Sequence, residues 1–159
     1  MYDVNLTKSY FRSQSDINVM DVCIGDVLKE TAAQRTGAEA LVEITRNGEE
    51  GRRWTYDKLF QESVDLAQAL ASRFEKGSHI VIWAPNIPEW VLMEYAAALA
   101  GIVLVTANPA LQEKELRYIL EQSEAVGLFL VSEFRGNPMK EIAERAVLNN
   151  SLIREVTDM

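Results

Sequence analysis

Apolar and polar positions change their period twice along this chain. The stretch 24–35 places Val27, Leu28, Thr31 and Ala32 on one face at helical spacing, and Gly37 supplies a stop. The stretches 40–45 and 52–55 read as strands. Asn47-Gly48 between them is a strong turn signal, and Gly51 lengthens the loop of the hairpin. Thr55 then predicts an N-cap, with Asp57 near the positive end of the helix dipole. Leu59, Ser63, Leu66, Ala67, Leu70 and Phe74 form one stripe, and Gly77 is expected to end that helix.

From there short apolar runs alternate with amphipathic stretches. Strands are expected at 79–84, 102–106 and 126–131, each apolar on both faces. Helices are expected from Pro88 to about Ala100, stopped by Gly101, then over 113–123 with Leu116, Ile119 and Leu120 inward, then over 138–147. A further strand starts at Leu152-Ile153. This order predicts an α/β fold: a parallel sheet with helices on both faces and right-handed crossovers, preceded by a helix and a β-hairpin. Residues 1–23 read as a loose polar lead-in, and 24–159 as the folded part.

The chain has 159 residues, 48% of them hydrophobic, which is enough for a core. A net charge of -8 argues against nucleic acid and against anionic membranes as partners. The most apolar stretch, 91–105, is interrupted by Glu94 and is too short to span a bilayer, so no integral membrane segment is expected. The N-terminus has no apolar signal-peptide core. The single cysteine, Cys23, cannot make an internal disulfide; it reads as a small buried or half-buried side chain in a cytoplasmic protein. The single histidine, His79, begins a strand and reads as structural.

Several site chemistries are absent. The eight glycines include no G-x-G pair, so there is no dinucleotide fingerprint, and neither a phosphate-binding P-loop nor a G-x-S-x-G elbow occurs. Glu113, Glu115, Glu141 and Glu144 read as charges on solvated helix faces rather than acid–base pairs. Trp54, Trp83 and Trp90 read first as packing residues.

Three segments carry a resemblance. Trp54-Thr55-Tyr56-Asp57-Lys58-Leu59 resembles the (W/L)-T-Y-x-E-L motif of the adenylate-forming, AMP-binding superfamily, with Lys58 where the pattern prefers an acid. The segment from Ile82 through Ala84-Pro85-Asn86 to Trp90 is similar to its strand-to-helix junction. The segment from Ala100-Gly101 to Asn108-Pro109, followed by Glu115-Leu116, Tyr118, Leu120 and Ser123, is similar to its A-G-x-V-x-V-x-x-N-P strand and the helix after it. Together they cover about residues 24–131, and Asn108-Pro109 points toward acyl-CoA synthetases.

The resemblance implies that 24–159 is the N-terminal, incomplete part of a larger adenylate-forming domain. The parent enzyme would be a medium- or long-chain fatty-acid–CoA ligase. It would convert fatty acid, ATP and coenzyme A to acyl-CoA, AMP and pyrophosphate with Mg, through an acyl-adenylate. In that family the ATP loop, the magnesium-binding acid and the catalytic lysine lie downstream, so no catalytic, cofactor-binding or metal residue is assigned here and the segment alone is expected to be inactive. Its partners would be the rest of the synthetase chain and, through an uncovered sheet edge, a second copy of itself. Asn86, Trp90 and Asn108 fall just past strand carboxyl ends, where open α/β sheets bind ligands; each reads first as a capping or packing residue, and they are the candidate pocket-wall residues. The alternative is a free-standing doubly wound binding or interaction module without catalysis.

Overall fold

The computed structural model describes Thr7 and residues 19–159; most of the expected lead-in lies outside them. Helix α1 spans Ile24–Gln34, strands β1 Glu39–Ile44 and β2 Glu50–Thr55 form an antiparallel hairpin, and α2 spans Tyr56–Ala71. There follow β3 His79–Trp83, α3 Pro88–Ala100, β4 Val103–Ala107, α4 Glu113–Gln122, β5 Gly127–Leu130, α5 Met139–Ala146 and β6 Glu155–Asp158. The last four strands form one parallel sheet in the order β4-β3-β5-β6.

Alternation along the two central strands sorts the core. Val81, Trp83, Leu128 and Leu130 point to one face and pack with Leu116 and Leu120 of α4 and Ile142 of α5. Ile80, Ile82 and Phe129 point to the other, against Leu70 of α2 and Met93 and Ala96 of α3. A third cluster, Leu28, Trp54 and Leu59, seats α1 and the hairpin on α2 and α3. Period 2 in the strands and period 3.6 in the helices therefore meet on both sides of one sheet.

Local signals explain the element ends. Pro88 occupies the first turn of α3, where no N–H bond is lost. Gly101 ends that helix in the left-handed region at φ 69°, and its N–H bonds to Ala98 O while that of Ile102 bonds to Ala97 O. This two-bond closure needs a residue without a Cβ penalty. At α4, the Gln112 N–H donates to Glu115 Oε2 at 2.9 Å, satisfying one free donor at the helix start.

Five expectations are corrected. Helix α2 ends at Ala71, not Gly77: the Phe74 N–H bonds to Leu70 O, and this tight turn keeps Phe74 on the inward stripe after the helix has ended. Strand β4 is an edge, not a fully buried strand; Val103 is 45% exposed. Strand β6 starts at Glu155 rather than at Leu152-Ile153, because Asn150 Oδ1 holds the Leu152 N–H in a turn and the ladder begins with Arg154 N–H on Val126 O. Cys23 is exposed: it is the N-cap of α1, where its carbonyl receives the N–H groups of Asp26 and Val27 and its side chain faces solvent. Glu113 is half-buried between α4 and α5, ion-paired to Arg117 at 2.9 Å and Arg145 at 3.0 Å, whereas Glu141 and Glu144 lie on the exposed face.

Candidate functional site

The strand order places β3 between the strand that follows it, β4, and the strand after that, β5. The chain therefore reverses direction across the sheet between β3 and β5. The crevice outside their carboxyl ends is the place where doubly wound sheets bind ligands. The chain leaves β3 through Ala84-Pro85-Asn86-Ile87, and leaves β5 toward Phe134. A cleft of about 470 Å3 opens there, a size common among small-molecule sites. It is lined by Pro85 and Ile87 after β3, by Trp90 of α3, by Phe134 after β5 and by the hairpin residues 41–46.

Two of the three candidate residues, Asn86 and Trp90, line this cleft; Asn108 does not. Asn108 is occupied locally. Its side-chain oxygen accepts the Ala110 N–H at 2.9 Å, and its carbonyl accepts the Trp83 Nε1–H at 2.8 Å. Trp83 is fully buried, and Trp54 is buried with its Nε1–H on Glu62 at 2.7 Å. The His79 ring Nδ1 lies against the Ser123 carbonyl.

The hairpin wall was not foreseen as part of a site. A charge cluster ties it to the start of α3. Arg52 of β2 reaches Glu43 of β1 with Nε at 2.8 Å, and Glu89 in the first turn of α3 at 2.5 Å. The same guanidinium lies 5.2 Å from the centroid of the Trp54 ring. Hydrogen bonds from the Arg52 side chain and backbone pull the Glu43 carboxyl down to about 2. The Arg52 side chain likewise holds Glu89 below the usual carboxylate range, and Glu43 and Glu89 push Arg52 up.

These shifts fix a sign. A carboxylate whose folded value is depressed stabilises the fold above its unfolded value of about 4.5 and loses that contribution as pH falls through the folded value. Hairpin amide protection relative to the sheet is expected to decline between about pH 5 and pH 2. Arg52→Gln should show reduced hairpin protection already at pH 7 and a flattened decline in that window, with sheet protection unchanged. Hydrogen exchange resolved by residue measures both; a variant with wild-type hairpin protection would contradict the clamp.

Among the described residues no three His, Cys, Asp or Glu side chains come together as a metal site, and no helix is long and apolar enough to cross a membrane. The cleft has mainly apolar walls and no glycine in its lining.

A profile of the AMP-binding enzyme family matches residues 28–157. The chain is 36% identical over 136 residues to YngI of Bacillus subtilis, covering 85% of this chain and 23% of that protein. It is 32% identical over 138 residues to the mitochondrial medium-chain acyl-CoA ligase ACSF2 of mouse, covering 86% and 22%. The chain thus spans under a quarter of the curated relatives it matches. Among solved structures, the fatty acyl-CoA synthetase of Mycobacterium tuberculosis superposes with TM-score 0.73 at 20% identity, over 86% of this chain and 26% of that one. The N-terminal domain of FACL13 from the same organism superposes with TM-score 0.74 at 22% identity, over 86% and 34%. These likenesses show the same fold.

Proposed function

The chain belongs to the AMP-binding enzyme family, and we propose from that premise that it is the N-terminal part of an ATP-dependent acyl-CoA synthetase. The proposed reaction of the whole enzyme joins a medium- or long-chain fatty acid to coenzyme A, with ATP cleaved to AMP and pyrophosphate in the presence of Mg. The observation that carries the reading is 32% identity to an acyl-CoA ligase over 138 residues, 86% of the chain. The resemblance at Asn108-Pro109 supports the same branch of the family. The proposed location is the cytoplasm, on the ground that the lone Cys23 has no internal partner.

In this reading the segment supplies scaffold. Glu43, Glu89 and Glu113 are committed to ion pairs and Glu115 to a helix cap. ATP, Mg and coenzyme A are assigned to the rest of the synthetase, and no chemical step is routed through residues of this chain. The purified 159-residue chain is expected to give no fatty-acid-dependent ATP–pyrophosphate exchange and no saturable micromolar ATP binding by calorimetry. A chain with net charge -8 and no phosphate cradle disfavours a polyanion. Either signal from contaminant-free protein would overturn the scaffold reading.

The second reading, a free-standing binding module, is favoured by one observation: both faces of the sheet already carry their own buried clusters. The two readings differ at the sheet edges. Val103 on β4 and Val156 on β6 are each 45% exposed, and Leu148 and Leu152 near β6 are 63% and 46% exposed. An uncovered edge with apolar side chains recruits further strands. The isolated chain is therefore expected to self-associate, as a symmetric dimer. Light scattering over a concentration series should show the mass rising toward twice that of the monomer; a constant monomeric mass would favour the complete module.

A further inference from the structure

We infer that the cleft between the hairpin and the carboxyl ends of β3 and β5 is a binding site for a small aromatic monoanion. Two observations define the body of the ligand. The half-buried rings of Trp90 and Phe134 both line the cleft, and Pro85 adds flat, rigid surface. Such walls favour a planar ring, through stacked or edge-on contacts worth about 0.5–1.5 kcal/mol beyond burial. Ile44, 63% exposed on the hairpin side, is an apolar side chain that a ligand there would cover.

Charge defines the other end. Arg46 lines the cleft, and Arg135 lies beside it, 5.1 Å from the centroid of the Phe134 ring. Among the described residues neither guanidinium has an ion-pair partner. The one carboxylate in the lining, Glu43, is ion-paired to Arg52, which it shares with Glu89. The mouth of the cleft therefore carries two guanidiniums without a carboxylate of their own, in a chain whose overall charge is -8, and they complement one anionic group. Asn86 adds an exposed amide at the same mouth. This site does not rest on the synthetase reading, and failure of either leaves the other standing.

The test is calorimetric titration of the 159-residue chain with 2-naphthoate, with 2-naphthol as the neutral aromatic and octanoate as the non-aromatic anion. Arg46→Gln and Ile44→Asp are titrated in parallel, each with its melting curve. Both positions are exposed, so wild-type melting is expected. The wild type should bind 2-naphthoate saturably and more tightly than either control. Arg46→Gln should weaken 2-naphthoate roughly three- to tenfold and leave 2-naphthol unchanged, because it removes one charge-assisted contact in a half-solvated setting. Ile44→Asp should weaken both aromatic ligands. No saturable binding, an unchanged affinity in Arg46→Gln, or octanoate binding more tightly than 2-naphthoate would overturn the inference. So would an apparent affinity that falls as protein concentration rises, since a second copy would then be the occupant of the cleft.

Discussion

Trp83→Ala is expected to remove about 3–5 kcal/mol of stability and to lower the melting temperature by roughly 6–20 °C. Trp83 is fully buried at the end of the central strand β3, paired with Ala107 on one side and Leu130 on the other. Its ring packs between the sheet and helices α4 and α5. Truncation leaves a cavity in an interior packed at crystal-like density. It also frees the Asn108 carbonyl, which now accepts the Trp83 Nε1–H at 2.8 Å. Domains of this size hold only about 5–15 kcal/mol in total, so the variant should be near its unfolding threshold at physiological temperature. Trp83→Phe separates the two effects: most of the volume stays, the donor is lost, and the cost should fall to about 1–3 kcal/mol. Chemical denaturation of both variants measures this. A loss below about 1 kcal/mol for Trp83→Ala would mean that the packing around β3 is wrong.

Gly127→Val should cost about 1–3 kcal/mol, although valine is the better strand former. Gly127 opens β5 and pairs with Ile80 and Glu155. A Cβ there would lie 2.9 Å from Phe74 Cζ and 3.3 Å from Ile80 Cγ2. Phe74 has little room to yield, because its ring packs edge-on against Phe129 with centroids 6.2 Å apart. The double variant Gly127→Val, Phe74→Leu should therefore be more stable than the sum of the single losses predicts, since the two sites share one space. Additive losses would show that the clash does not govern the cost.

These two positions illustrate how unevenly the fold is written into the sequence. The junction from β3 to α3 and the Gly101 stop were legible because their causes are local: an apolar run, a proline with no donor to lose, a glycine free to turn left-handed. The hairpin was legible from Asn47-Gly48. The sheet order was not, because the apolar run of β4 looks the same at an edge as at the centre. Phe74 kept helical spacing past the true end of α2, so periodicity overran the helix. Cys23 was misplaced because small apolar character says nothing about which way an N-cap side chain points.

The site divides in the same way. Asn86 and Trp90 followed from the rule that ligands gather beyond strand ends, and both line the cleft. The rule also selected Asn108, whose side chain is held by its own turn. Residues 41–46 and Phe134 escaped, since nothing near them in sequence tells that the hairpin faces the junction between β3 and α3. The bond from Arg52 to Glu89 links residues 37 positions apart, beyond the reach of any local pattern.

The claim that this chain is the N-terminal scaffold of a fatty-acid-activating enzyme is tested most directly by substitution into a relative. Residues 24–159 replace the matching segment of the mouse medium-chain acyl-CoA ligase, and ATP–pyrophosphate exchange is measured with a panel of fatty acids and amino acids. A correct scaffold predicts exchange that depends on medium- or long-chain fatty acids and is lost when the segment carries Trp83→Ala. A chimera that is folded and monodisperse but gives no exchange with any fatty acid would contradict the account.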